Sequence, residues 1–178
     1  RKISLILCSA VMLMGMSAVG VYAATEDVGD FTITKSGYGS SLSVSVSGYN
    51  GKGGDITLPT SVSFYDTEYT ITEVGSAFTD NELITGVTIP EEYNFIGLNA
   101  FANCTELKSV SIPGSMSLIS ATAFANCPKL ETVTFADGSA SSLTIRNDVF
   151  LDCTALTSLE LPKRLSTATS NFVRGCTS

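Results

Sequence analysis

The residues best able to do chemistry in this 178-residue chain are its five cysteines. A thiolate can attack an electrophile, ligate a soft metal or form a disulfide, but a nucleophilic one needs a lowered pKa or an adjacent base. The chain contains no histidine, which excludes Ser-His-Asp and Cys-His arrangements and His-containing zinc sites within it. Four of the cysteines, Cys104, Cys127, Cys153 and Cys176, are separated by 23, 26 and 23 residues. That beat suits a repeated interior position filled by a small apolar side chain with a weak S–H donor. Stacked neighbours would bring their Cα atoms into disulfide range, yet side chains pointing the same way make poor bridges. Reduced, buried thiols are therefore expected, with a single bridge or a metal site as the alternatives.

Other chemical candidates have structural explanations. "GYNGKGGD" at 48–55 is Gly-rich but lacks the Lys-Ser/Thr pair of a phosphate loop; it reads as a hairpin turn. Glu91 and Glu92 follow Pro90 directly, and adjacent acids at a turn face different ways, whereas glycoside hydrolysis needs two carboxyls about 5–9.5 Å apart across a cleft. Asn103-Cys104-Thr105 is formally a glycosylation sequon, but it falls inside a repeated segment. No catalytic, metal or cofactor site is expected.

The elements that hold these residues repeat. "AFANC" occurs at 100–104 and again at 123–127. Aligned on Phe78, Phe101, Phe124, Phe150 and Phe172, the separations are 23, 23, 26 and 22, within the range of about 20–29 residues of leucine-rich repeats. Three residues after the first four Phe stand Asn81, Cys104, Cys127 and Cys153, and three further on Ile84, Leu107, Leu130 and Leu156. Val87, Val110, Val133 and Leu159 follow, then Ile89, Ile112, Phe135 and Leu161; Ile96, Ile119 and Ile145 recur before the next Phe. One such turn cannot bury its apolar side alone, but turns stacked about 4.8 Å apart lay like residue over like.

Within a turn, the alternation of "LKSVSIP" predicts a short strand with Val110 and Ile112 inward and Ser109 and Ser111 outward. "NAFANC", with Asn before a short run, predicts a helical turn capped by Asn or Thr. Three extra residues around "FADGSASSL" predict a surface loop near 137–142. Phe172 to Cys176 is one residue too long, which sets the last turn apart. Ahead of the array, Leu42, Val44 and Val46 alternate with Ser, and "ITLP" and "EYTITEV" give further strands. An array needs a cap over its open end, and this lead-in supplies one.

With those residues in place, "AFANCTELKSVSIPGSMSLISATAFANCPKLETVTF" resembles the BspA-like, or Treponema pallidum type, leucine-rich repeats of bacterial surface proteins. These carry Ala-Phe, a Cys three residues on, and Ile-Pro after the strand. The resemblance covers about 76–176, and the segment before it resembles their non-repetitive lead-in. Asn81 departs from the pattern where later turns have Cys, as in ordinary leucine-rich repeats whose Asn binds backbone groups inside the turn. The expected fold is a β-rich, right-handed leucine-rich-repeat solenoid with one short strand and a short helical turn per ~23-residue repeat and an N-terminal β cap. The expected organisation is a signal peptide over 1–24, a β-strand lead-in over 25–75, and about four repeats over 76–178, the last incomplete.

Composition sets the compartment. Arg1 and Lys2 precede the uncharged run "ISLILCSAVMLMGMSAVGV", and Val21-Tyr22-Ala23 offers a small-residue cleavage site. This predicts a secretory signal peptide cut after Ala23 or Ala24, with an uncleaved anchor as the alternative. Cys8 lies too early for a lipoprotein site. The missing initiator Met and the stop within a repeat lead us to expect that both ends are clipped. The formal net charge is −7, and dropping Arg1 and Lys2 from ten bases leaves eight against 17 acids. Nucleic acid and anionic membrane surfaces are thus poor partners, and no membrane contact is expected beyond the signal peptide or a lost anchor.

The outward strand face is left free to bind. Gly86, Ser109, Thr132 and Ser158 should form one row and Thr88, Ser111, Thr134 and Glu160 the next, flanked by Lys108 and Glu131. Thr rows can also suit ice binding, but only the third strand has a Thr-x-Thr pair. Tyr38, Tyr49, Tyr65, Tyr69 and Tyr93 lie mostly in the lead-in, as cap packing or as a second contact site. The resemblance implies adhesion or protein–protein contact with extracellular or host-surface proteins. The rival readings are a targeting module of a cell-wall or polysaccharide-active enzyme and a ligand-free spacer.

Overall fold

The computed structural model describes residues 23–37 and 39–176. Ala23 and Ala24 open the first strand, while the rest of the expected signal peptide, with Cys8, and Tyr38 lie outside the described residues. The strands are β1 (Ala23–Val28), β2 (Phe31–Ser36), β3 (Ser43–Tyr49), β4 (Gly54–Thr57), β5 (Ser61–Phe64), β6 (Thr67–Thr70), β7 (Glu73–Val74), β8 (Ile84–Thr88), β9 (Phe95–Ile96), β10 (Ser109–Ile112), β11 (Leu118–Ile119), β12 (Thr132–Phe135), β13 (Leu143–Ile145) and β14 (Leu165–Ala168). They form an eight-stranded sheet in the order β1-β2-β3-β7-β9-β11-β13-β14, a four-stranded sheet in the order β12-β10-β8-β4, and the hairpin β5-β6.

Each turn up to β13 gives one strand to each sheet, and the last turn gives only β14, to the eight-stranded sheet. β4, β8, β10 and β12 pair in parallel, with Gly86, Ser109 and Thr132 in register. β7, β9, β11 and β13 likewise lay Val74, Ile96, Ile119 and Ile145 over one another. Those four residues, with Val87, Val110 and Val133 from the other sheet, belong to one buried cluster. The expected columns are thus the core up to the last turn, where Leu159 is only partly buried and Leu161 is exposed. Phe78, Phe101, Phe124 and Phe150 stack through it with ring centroids 4.9, 5.0 and 5.5 Å apart and planes within 11° of parallel. The strand spacing of about 4.8 Å imposes that distance.

The "NAFANC" segments differ from expectation: they are stacked turns, and the described residues contain a single short 3-10 helix, at Gly39–Ser41. Asn99, Asn103, Thr122, Asn126, Asp148 and Asp152 all have positive φ, between 55° and 62°. A left-handed residue on each side of the Phe breaks any helix, and Asn and Asp tolerate that conformation better than other side chains. The freed amides bond to the next turn instead: Phe101 N–H donates to Ala123 O at 2.7 Å, and Asn103 N–H to Ala125 O at 2.8 Å.

This ladder also corrects the last turn. Phe150 N–H donates to Phe172 O and Asp152 N–H to Arg174 O, so Phe172 stands where Val149 stands one turn earlier, and Val173 takes the Phe position. Asn171 and Gly175, both at positive φ, match Asp148 and Asp152. The spacing from Phe150 is then 23 residues, and Cys176 falls three after Val173, in step with every other turn. Phe172 packs against the core from its flank.

In the lead-in, β1, β2 and β3 form an antiparallel meander, and β3 hands over to the parallel array through β7. Phe31 and Tyr49 close the phenyl column, with Tyr49 5.4 Å from Phe78 and Phe31 5.3 Å from Tyr49. "GYNGKGGD" is a corner and not a hairpin: β3 and β4 lie in different sheets. Gly53 (φ 82°) packs on Leu83, and a Cβ there would sit 2.2 Å from the Leu83 carbonyl oxygen. The loop 137–142 is largely exposed, as its inserted residues predict.

Candidate functional site

Inward residues of β8, β10 and β12 are consumed by the core, so their outward residues define the free surface. Thr88, Ser111 and Thr134 form one row and Gly86, Ser109 and Thr132 the other; all but Gly86 are exposed. Lys108 and Glu131 flank them, also exposed, and are neighbours in the stack, with Glu131 N–H donating to Lys108 O at 2.9 Å. Ser158 and Glu160 do not join: residues 157–161 form no strand, and β12 is the edge of its sheet. Both are exposed, but no ladder sets them in the rows.

Two residues of the lead-in complete the surface. β4 pairs with β8 so that Asp55 stands beside Gly86 and Thr57 beside Thr88. The signal was present: "DITLP" at 55–59 has the pattern of "GVTIP" at 86–90 and "SVSIP" at 109–113. A shallow depression of about 240 Å³ lies over these strands, lined by Asp55, Thr57, Gly86, Thr88, Ser109 and Ser111 among others. Its floor is hydroxyl-rich, and Asp55 is the only charged residue in its lining.

The tyrosines divide by role. Tyr93 is fully buried, donates its hydroxyl to Pro59 O at 2.6 Å, and is pushed to higher pKa first by burial and then by Glu92. Tyr49 accepts from Gly53 N–H at 3.1 Å, and Tyr69 receives the Lys35 ammonium at its hydroxyl and, 4.2 Å away, over its ring. These are cap contacts. Tyr65 alone among the described tyrosines is well exposed.

The four cysteines among the described residues are free thiols, three buried and Cys176 partly so. Each donates to the carbonyl of the residue in the preceding turn's Phe position: Cys104 to Phe78, Cys127 to Phe101, Cys153 to Phe124 and Cys176 to Phe150, at 3.1–3.2 Å. Asn81 does the corresponding work within its own turn, its Oδ1 accepting from Leu83 and Ile84 N–H. The Cys127 thiol is pushed up to about 12, first by the neighbouring Cys104 thiol and then by burial. Cys153 is raised further, chiefly by Cys127, and Cys176 is raised by burial. Thiols so protonated are poor nucleophiles. Glu91 is engaged too, accepting from Gly114 and Ser115 N–H at 3.0 and 3.1 Å.

A parallel coil of ~23-residue turns with strand, stacked phenyls and interior thiols defines a leucine-rich-repeat β-solenoid with a β cap. The family described as "BspA type Leucine rich repeat region (6 copies)" matches residues 72–178. The chain belongs to that family. Among solved structures it is similar to the T. pallidum leucine-rich repeat protein, with 27% identity and a TM-score of 0.71 over 85% of this chain and 67% of that one. It is similar also to a leucine-rich repeat protein from Bacteroides capillosus, at 26% identity and a TM-score of 0.53 over 81% and 96%. With a leucine rich cell surface protein from Faecalibacterium prausnitzii it shares the fold, at 22% identity and a TM-score of 0.54 over 85% of this chain and 52% of that one. This chain thus spans about half of that last protein. No curated protein matches it. Family and solved structures alike are repeat proteins, and among the described residues no helix is long and apolar enough to cross a membrane.

Proposed function

We propose that the chain is a secreted or cell-surface module that binds extracellular or host-surface proteins through the outward face of its four-stranded sheet and performs no catalysis. The observation that carries this reading is the division of labour along each strand. Val87, Val110 and Val133 are buried while Thr88, Ser109, Ser111, Thr132 and Thr134 stand exposed at fixed spacing. The parallel ladder holds that surface rigid, so binding spends little ordering entropy. The similarity to a protein described as a leucine rich cell surface protein supports the location, as does the basic and apolar leader of the sequence. Such a surface offers shallow contacts and few aromatic anchors, so single-module affinity is modest and display in several copies strengthens it.

The test is binding of the chain, free and displayed in multiple copies on beads, to immobilised extracellular-matrix proteins. The expected result is weak binding by the free chain and a gain of about a hundredfold or more on display. Absence of binding in both forms would leave a ligand-free spacer as the account.

A further inference from the structure

The depression on the sheet face has an asymmetric floor. At Gly86 a side chain is missing, and a Cβ placed there would lie 2.6 Å from Asp55 Oδ1 and 3.0 Å from Ser109 Oγ. The Asp55 carboxylate therefore occupies space that any other residue at 86 would take from it. Thr85 Oγ1 donates to Asp55 Oδ1 at 2.7 Å, which fixes one carboxylate oxygen and leaves the second uncommitted. Around it stand the hydroxyls of Thr57, Thr88, Ser109 and Ser111.

We infer that this depression receives a basic side chain, lysine or arginine, from a protein partner, with Asp55 as its counter-charge. The inference rests on the protein-binding reading of the sheet face and names the chemistry of the partner. Size is the first argument. At about 240 Å³ the depression is smaller than the 300–1,000 Å³ typical of small-molecule sites, and it suits one long side chain. Charge is the second. Asp55 is the only charged group in the lining, and the chain's formal net charge of −7 steers cations toward it. Donor balance is the third. An ammonium or guanidinium brings only donors, and this floor answers with a carboxylate oxygen and several hydroxyl acceptors. A sugar ring would find no aromatic side chain among the lining residues.

The experiment titrates the full, isotope-labelled chain with an arginine-containing octapeptide, then with the same peptide carrying glutamate for arginine. The expected result is movement of the Gly86, Thr88 and Ser109 amide resonances by the arginine peptide alone, with affinity falling as salt rises. Asp55→Asn, an isosteric change at an exposed residue, should weaken binding roughly tenfold, as loss of a charged hydrogen bond does. Gly86→Ala should weaken it as well while Asp55 is still present, with melting curves confirming that both variants fold. Unchanged affinity in Asp55→Asn, or movement of those amides by a methyl glycoside and not by the peptide, would overturn the inference. If the peptide fails while an extracellular-matrix protein still binds the chain and is lost in Thr134→Lys, the basic anchor is wrong and the sheet-face reading stands.

Discussion

The thiol of Cys127 donates to the carbonyl oxygen of Phe101, one turn earlier, at 3.2 Å. That bond is buried, where water cannot replace it. Cys127→Ala should therefore destabilise the fold by about 1–3 kcal/mol, the cost of an unsatisfied buried acceptor. Urea unfolding reads it as a lower midpoint at unchanged slope. A shift near zero would mean that the cysteine is merely a space filler.

Alkaline pH should weaken the fold. Cys127 rises from an ordinary thiol value of 9.0 to about 12. The unfolded chain thus gives up this proton near pH 9, and the folded chain holds it until about 12. Across that window the unfolded state binds fewer protons than the native state, so stability is full below about pH 9 and falls as pH rises. Cys153 and Tyr93, also raised, act in the same sense. Urea midpoints at pH 7, 9 and 11 check the slope, and Cys127→Ala should flatten it.

The reassigned last turn separates two neighbours. Phe124 is fully buried within the stack, and its change to Ala should cost about 3–5 kcal/mol. Phe172 packs on the flank of the core, outside the phenyl column, so Phe172→Ala should cost about 1 kcal/mol or less. Equal losses at the two sites would return Phe172 to the column and make Val173 the outsider.

The left-handed positions should discriminate between small residues. Asn126 has a φ of 58°, and its Nδ2 donates to Asn103 Oδ1 at 2.8 Å. Asn126→Ala loses that bond and keeps a Cβ in a conformation costing about 1–2 kcal/mol without the polar side chain that lets Asn tolerate it. Asn126→Gly loses the bond without the strain, and Gly175 shows the array using glycine at the equivalent place. Thermal melts should rank Gly above Ala; the reverse order would contradict the stacked-turn geometry.

Much of this architecture was legible in the sequence because stacking forces like residues into register. Phe101 over Phe124, Cys104 beside Cys127 and Val110 beside Val133 could each be read from spacing alone. What the sequence hid has physical causes. Asn99 and Asn103 look like helix caps locally, but whether their freed amides bond within the turn or across turns depends on a neighbour that only the fold supplies. Phe172 drew the alignment because it is aromatic, while the backbone ladder ignores side-chain identity. Asp55 and Thr57 fall outside an alignment on Phe because β4 precedes the first Phe, although "DITLP" carries the strand's own pattern. Ser158 and Glu160 fit that pattern too, yet their segment forms no ladder with β12.

The most direct test of the account compares faces. Beads carrying the chain are scored for attachment to host cells beside Ser111→Arg and Thr134→Lys, on the four-stranded sheet, and Thr167→Lys, exposed on β14 of the other sheet. The account predicts that at least one of the first two loses attachment while Thr167→Lys keeps it, all three melting like the parent. Attachment unchanged by either sheet-face variant, or lost only in Thr167→Lys, would contradict the claim that this sheet is the contact surface.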